Sequence, residues 1–222
     1  LRRGVLDGAN VTMPHKQLAC RTSDRRTDRA MRIGAVNTLV MRDGELVGDS
    51  TDVDGIRMAW ETRALPVDAP VVILGAGGAA GAALLATEGM PQYVMARRPQ
   101  QAAALVKHVG VDAVVVAWED AAPSGVVVNA TSIGMGGEVL PEQVLDGACG
   151  LLDMAYGFVA TPAVAALRDA RIPVADGLDM LVGQAASSFA IWTGIDLDPE
   201  IFRRAGEHEL LKRSQSRTRV EE

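Results

Sequence analysis

Val71-Val72-Ile73-Leu74-Gly75-Ala76-Gly77-Gly78-Ala79-Ala80-Gly81 is the stretch that decides the fold. It opens with an unbroken apolar run rich in β-branched residues, the pattern of a strand buried on both faces. Glycines follow at once, and then alanines, which favour helix. Strand, glycine turn and helix in that order form a dinucleotide-binding fingerprint. Gly75 allows the tight turn, Gly77 lets the backbone approach a pyrophosphate, and Ala80 is small enough for close helix–strand packing. Phosphates would rest on the orphan N–H groups at the start of the helix. The alternative is a glycine-rich turn that holds no ligand.

Outward from this unit the pattern repeats. Strands are expected at Tyr93–Ala96, Ala113–Val116, Val126–Asn129 and Gly150–Asp153, and helices at Ala79–Glu88, Pro99–Val109 and Thr161–Ala170. Alternation of this kind implies a parallel sheet with right-handed crossovers. A further helix over Asp179–Thr193 ends at Gly194, as a C-cap would. Upstream, Leu65-Pro66-Val67-Asp68-Ala69-Pro70 is a linker by composition. Before it come a short strand at Ala9–Thr12 halted by Pro14, a polar helix over Leu18–Arg32, and a hairpin around Asp43-Gly44. A helix over Thr51–Leu65 follows, with Val53, Ile56, Ala59 and Trp60 at helical spacing.

The expected fold class is therefore α/β with two units. Residues 66–178 form a Rossmann-type dinucleotide-binding unit, and residues 1–65 plus 179–222 form the other. The charged tail Lys212–Glu222 is expected to fray. The opening LRRGVLDGANV reads as the end of a helix, a turn and a strand. A unit starting there lacks neighbours for that strand, so the start is expected to be truncated.

Which nucleotide fits depends on the end of the second strand. An NAD site places an acidic residue there for the ribose 2′-OH. This chain has Ala96-Arg97-Arg98-Pro99 and no nearby carboxylate. Two guanidiniums suit a 2′-phosphate, so NADP is the expected cofactor. A pair of solvated surface arginines is the plainer alternative.

The first unit carries a polar constellation. Lys16 follows Pro14 at a strand-to-helix junction, and Asp52 stands where a helix begins. A lysine beside a carboxylate can pass a proton to or from a hydroxyl or carbonyl oxygen and stabilise charge developing on it. Thr12 and Asn37 could add neutral hydrogen bonds to a polyhydroxylated small molecule. On pattern alone, Asp52 could equally cap its helix, as Ser50 or Thr51 could, and Lys16 could be an ordinary surface lysine.

Composition narrows the classes. The chain has 222 residues, 48% apolar and 23% charged, with a formal net charge of −6. That is a globular composition, and its sign argues against a nucleic-acid partner. No uncharged apolar run is long enough for a membrane span. Cys20 and Cys149 make no disulfide framework, which points to a reducing, cytoplasmic setting. His15, His108 and His208 have no ligand spacing, so no metal is expected.

These stretches together resemble the shikimate dehydrogenase family. Asn10–Lys16 matches its NVTxPxK motif, Gly34–Thr38 its GAVNT, and Leu74–Ala79 its glycine loop. Asn129–Met135 matches NATxxGM, and Asp153–Tyr156 with Thr161-Pro162 resembles its D-x-x-Y…TP segment. Gly177–Gly194 matches its C-terminal signature. The matches keep the family's order over nearly the whole chain.

The resemblance implies a substrate domain and an NADP domain with the active site between them, and reversible NADPH reduction of 3-dehydroshikimate to shikimate. It implies Lys16 and Asp52 as the catalytic pair, with Thr12, Asn37, Tyr156 and Gln184 on the substrate. It places Gly75, Ala76, Gly77, Gly78, Ala79, Arg97, Arg98, Thr131, Met135 and Gly177 along the cofactor. A quinate or other cyclohexane-polyol dehydrogenase, or a catalytically silent NADP-binding relative, are the alternatives. A monomer and a homodimer both fit.

Three features depart from the family pattern. The opening segment with its serine-x-serine motif is missing. Ala96 and Arg98 stand where the family has asparagine and threonine around its arginine. Ser50 replaces the asparagine of GxNTDxxG.

Overall fold

The computed structural model describes residues 1–156 and 159–218. In chain order the first part holds β1 (Gly8–Asn10), α1 (Lys16–Thr22), β2 (Arg25–Arg26), α2 (Asp28–Ile33), β3 (Thr38–Arg42), β4 (Glu45–Asp49) and α3 (Asp52–Thr62). Then follow β5 (Val71–Leu74), α4 (Gly78–Ala86), β6 (Gln92–Ala96), α5 (Pro99–Val109), β7 (Ala113–Ala117), β8 (Gly125–Asn129), α6 (Glu142–Leu145), β9 (Ala148–Asp153), α7 (Pro162–Asp169) and β10 (Val174–Ala175). Two helices close the chain, α8 (Gly177–Thr193) and α9 (Pro199–Thr218).

Two sheets result. The larger has the order β10-β9-β8-β5-β6-β7 and is parallel throughout. Chain order reverses between β5 and β8, and in open α/β sheets ligands bind in the crevice outside such a switch point. Val71–Leu74 is wholly buried, as a strand covered by helices on both faces must be. The smaller sheet is mixed, β1-β3-β4-β2, with the β3–β4 hairpin turning at Asp43-Gly44.

One expected helix is broken in two. In place of a single helix over Leu18–Arg32, α1 stops at Ser23 and β2 pairs in parallel with β4. The Ser23 hydroxyl bonds the Ala19 carbonyl, and Asp24 accepts from Leu46 N–H at 2.8 Å, so short polar side chains compete with the helix ladder. Thr27 then caps α2 by accepting from Ala30 N–H, and Gly34 ends it in the left-handed region. The tail expected to fray is helical as far as Thr218, and its last four residues lie outside the described ones.

The smaller sheet meets the larger through helices. α3 and α8 cross with almost no side-chain spacer, since a Cβ on Gly183 would stand 2.9 Å from the Gly55 Cα. Beyond that crossing, Trp192 Nε1 donates to the Leu39 carbonyl of β3 at 3.0 Å. At the start of α8, Asp176 and Asp179 form a capping box. Asp179 is fully buried and accepts from Arg63 at the end of α3 and Arg203 of α9. Burial opposes its charge, but those guanidiniums and the Asp176 N–H hold its carboxyl below the ordinary range. Among the described residues no helix is long and apolar enough to cross a membrane.

Candidate active site

The turn after β1 leads straight into α1, with His15 N–H donating to the Thr12 carbonyl at 2.9 Å. Lys16 is therefore the first residue of α1, and its carbonyl accepts from Val36 N–H at 3.0 Å. The start of α1 is thereby tied to the Gly34–Thr38 segment. Asp52 is the first residue of α3, where the positive end of the helix dipole favours a carboxylate. The preceding Thr51 makes no side-chain cap. Asp52 does not cap its own helix but faces Lys16: Lys16 Nζ donates to Asp52 Oδ2 at 2.6 Å.

Asp52 is 1% exposed and the Lys16 side chain 18%. A carboxylate so buried is tolerated only when its oxygens are paired. The second oxygen, Oδ1, accepts from Asn37 Nδ2 at 2.9 Å. Asn37 is in turn held by its own oxygen, which accepts from Thr51 N–H at 2.8 Å, Thr38 Oγ1 at 3.0 Å and Thr51 Oγ1 at 3.2 Å. Lys16 has three N–H donors and one goes to Asp52, which leaves donors for an oxygen arriving from the open side. Such an arrangement can hold a proton at a carbonyl or hydroxyl oxygen.

Thr12 is exposed at the turn before Lys16. Gln184 is half-buried on α8, next to the Gly55–Gly183 crossing. Tyr156 is exposed beyond β9, against the start of α8, where a Cβ on Gly177 would strike the Tyr156 side chain. Close by, Arg29 bridges Asp49 and Asp54, with Nε to Asp49 Oδ1 at 2.6 Å and Nη1 to Asp54 Oδ2 at 2.6 Å. Burial raises the Asp49 carboxyl, but its bonds from Arg29 and Thr27 outweigh this and leave it below the ordinary range. The Ser50 hydroxyl is buried and has no hydrogen-bond partner among the described residues.

On the nucleotide side, Gly75 has φ +115°, and a Cβ there would meet the Ala130 carbonyl at 3.0 Å. Only glycine fits this turn. Gly77 opens α4 with no side-chain cap, and nothing lies within 4 Å of where its Cβ would be. A backbone with bare N–H groups and open space above it is what a pyrophosphate needs. Gly78 packs on Ala35, so the glycine loop touches the segment that carries Asn37.

The β5–β6 register pairs Leu74 with Met95, which brings Arg97 and Arg98 to the same end of the sheet as the loop. Both are exposed and neither has an ion-pair partner among the described residues. Thr131 lies beside Gly75 and donates its hydroxyl to Asn129 Oδ1 at 2.6 Å. Asn129 also bonds Asp153, which is fully buried; burial pushes the Asp153 carboxyl above its ordinary value. Met135 is half exposed in the following turn, and Gly177 is the first residue of α8. The donor set of this crevice fits a dinucleotide with an extra phosphate. Among the described residues no group of three or more His, Cys, Asp or Glu could hold a metal ion.

Residues 1–39 match the family described as shikimate dehydrogenase substrate binding domain, and residues 177–205 match the shikimate 5′-dehydrogenase C-terminal domain. A shikimate dehydrogenase (NADP(+)) from one strain of Thermus thermophilus is 35% identical, over 91% of this chain and 80% of the relative. The chain belongs to the shikimate dehydrogenase family.

The crystal structure of shikimate 5-dehydrogenase from another strain of Thermus thermophilus, in complex with NADP(H) and shikimate, is similar with a TM-score of 0.83. It is 33% identical, over 93% of this chain and 80% of that one. The 5-ketofructose reductase of a Gluconobacter strain is also similar, with TM-score 0.80 and 28% identity over 93% of this chain and 80% of that one.

Reading the shikimate dehydrogenase motifs singly passes over residues that the structure joins to them. The buried side chains of Thr38, Thr51 and Ser188 form one cluster around Asn37, closed on its outer side by the exposed Asn10. Asn10, Thr38 and Thr51 lie inside the quoted motifs. Ser188 lies one turn after Gln184, a spacing that puts both on one helix face.

Proposed function

We propose that this chain catalyses the reversible NADPH-dependent reduction of 3-dehydroshikimate to shikimate. The observation that carries the reading is the Lys16–Asp52 contact of 2.6 Å, in a chain whose glycine loop and free arginines suit NADP. NADPH supplies the hydride when bound. The chain's own residues orient the ring and manage the proton. In the reducing direction, a Lys16 N–H donates to the ketone oxygen, and its proton passes to that oxygen as the alcohol forms. Asp52 keeps the ammonium in place and takes its share of the charge. Oxidation reverses the transfer.

Thr12, Asn37, Tyr156 and Gln184 are assigned to the substrate, and Gly75–Ala79, Arg97, Arg98, Thr131, Met135 and Gly177 to the cofactor. Residues 1–65 with 179–222 form the substrate unit, and 66–178 the NADP unit. The setting is cytoplasmic, and assembly is either a monomer or a homodimer.

A second reading is a related polyol substrate. Ser50, buried two residues from Asp52, favours it, since that residue departs from the family motif. Steady-state oxidation of shikimate and of quinate, each with NADP and with NAD, separates the two. Turnover of shikimate with NADP supports the first reading. Turnover of quinate alone supports the second, and turnover of neither overturns both.

A further inference from the structure

Asn37 can hold Asp52 only in one of its two amide orientations. With Nδ2 toward Asp52 it donates, whereas a flipped amide would set its oxygen against a carboxylate. Three contacts enforce the donating orientation, the Thr51 N–H and the hydroxyls of Thr38 and Thr51 on Oδ1. The two hydroxyls support it only if their protons point at Asn37.

Ser188 fixes one of them. Its Oγ lies 2.9 Å from Thr38 Oγ1 and 3.1 Å from Thr51 Oγ1, and it accepts from Asn10 Nδ2 at 2.9 Å. Thr38 Oγ1 and Thr51 Oγ1 are also 3.0 Å apart. Each hydroxyl has one proton. Asn10 donates to both Ser188 and Thr38, and Ser188 has one proton, which the shorter contact directs to Thr38. With both of its acceptor sites then taken, Thr38 has its own proton left for Asn37. Ser188 and Thr38 are wholly buried, so water cannot easily replace the missing link.

We infer that Ser188 is a positioning residue for the reacting pair: through Thr38 it locks the Asn37 amide that holds Asp52, and so registers α8 against Lys16. The inference rests on the assignment of Lys16 and Asp52 proposed above. Because Gln184 lies one turn earlier on α8, the same contact sets that residue's height against the pair.

The test is a double-mutant cycle in shikimate oxidation: Ser188→Ala alone, Asn37→Ala alone, and both. The single Ser188→Ala change is expected to lower kcat roughly 3- to 30-fold, with KM for NADP changed less than about twofold. In the Asn37→Ala background the same change should cost less than about twofold, because it has nothing left to orient. Ser188→Cys, close in volume and a weak donor, and Thr38→Val, which keeps the shape and removes the hydroxyl, should behave alike. They keep the test open if Ser188→Ala does not fold.

Equal penalties in both backgrounds, or an unchanged kcat, overturn the role of Ser188. A wild-type chain that is inactive on shikimate and on quinate overturns the assignment of the pair itself, and this inference with it.

Discussion

The Lys16–Asp52 pair is held from several sides before anything binds, whereas the guanidiniums of Arg97 and Arg98 have no ion-pair partner among the described residues. Around Asp52 a buried charge forces every neighbour into a fixed geometry, because an unpaired oxygen there would cost more than ordering the side chains that pair it. Around the glycine loop the backbone faces open space. On the proposed assignment, the first region is preorganised for chemistry and the second for capture. The difference predicts that substitutions in the two regions change different kinetic constants.

The largest effect belongs to the paired region. Lys16→Ala should lower kcat on the order of 10²–10⁴-fold and leave KM for NADP nearly unchanged. An equal loss in cofactor affinity, read by titration, would break the comparison.

The next effect belongs to the open region. Arg97→Ala should raise KM for NADP roughly 10- to 100-fold with little change in kcat or in NAD binding, as expected for a lost charge-assisted bond. Rising salt should reproduce part of this loss in wild type, since the arginines are exposed. Similar losses with NAD and NADP would mean that they do not grip a 2′-phosphate.

A smaller effect tests the frame between the regions. Gly183→Ala puts a methyl against the Gly55 backbone, where no flexible side chain can yield. Loss of about 1–3 kcal/mol in denaturant unfolding is expected. An unchanged midpoint would show that the crossing has slack.

The smallest is a pH effect on stability. The Asp179 carboxyl is held low, so its contribution is fully present above the ordinary carboxylate range near about 4 and fades as pH falls through its lowered folded value. Asp179→Asn should therefore flatten the acid limb of the melting-temperature profile, and an unchanged limb would remove Asp179 as its cause.

The larger sheet was legible because its strands are short, apolar and punctuated. Val71–Leu74 and Pro99–Val109 are expected and observed with the same bounds. The split of Leu18–Arg32 was not legible, because the interruption depends on where β4 lies: Arg25–Arg26 has no strand pattern of its own and becomes a strand only against Val47-Gly48. Helix α9 was not legible because its residues are mostly polar or charged and give no clear apolar stripe. Asp198-Pro199-Glu200 was its one local signal, and the buried Asp179 that receives Arg203 is a tertiary fact. Lys16 and Asp52 were visible as residue types, but their contact was not. Ser188 was invisible because its meaning depends on a residue near the other end of the chain.

That separation has a consequence for how the protein is made. Asn10 finds its partner 178 residues later, and Leu39 waits for Trp192, 153 residues on. The sheet of β5–β10 draws all its strands from one continuous stretch ending at Ala175, so it can assemble while translation is still under way. The small sheet emerges from the ribosome before the larger one, yet it cannot complete its buried hydroxyl cluster until α8 has followed. Its strands must therefore wait, partly formed, while the larger sheet is synthesised, and a chaperone that shields nascent chains would find a long-lived client surface there.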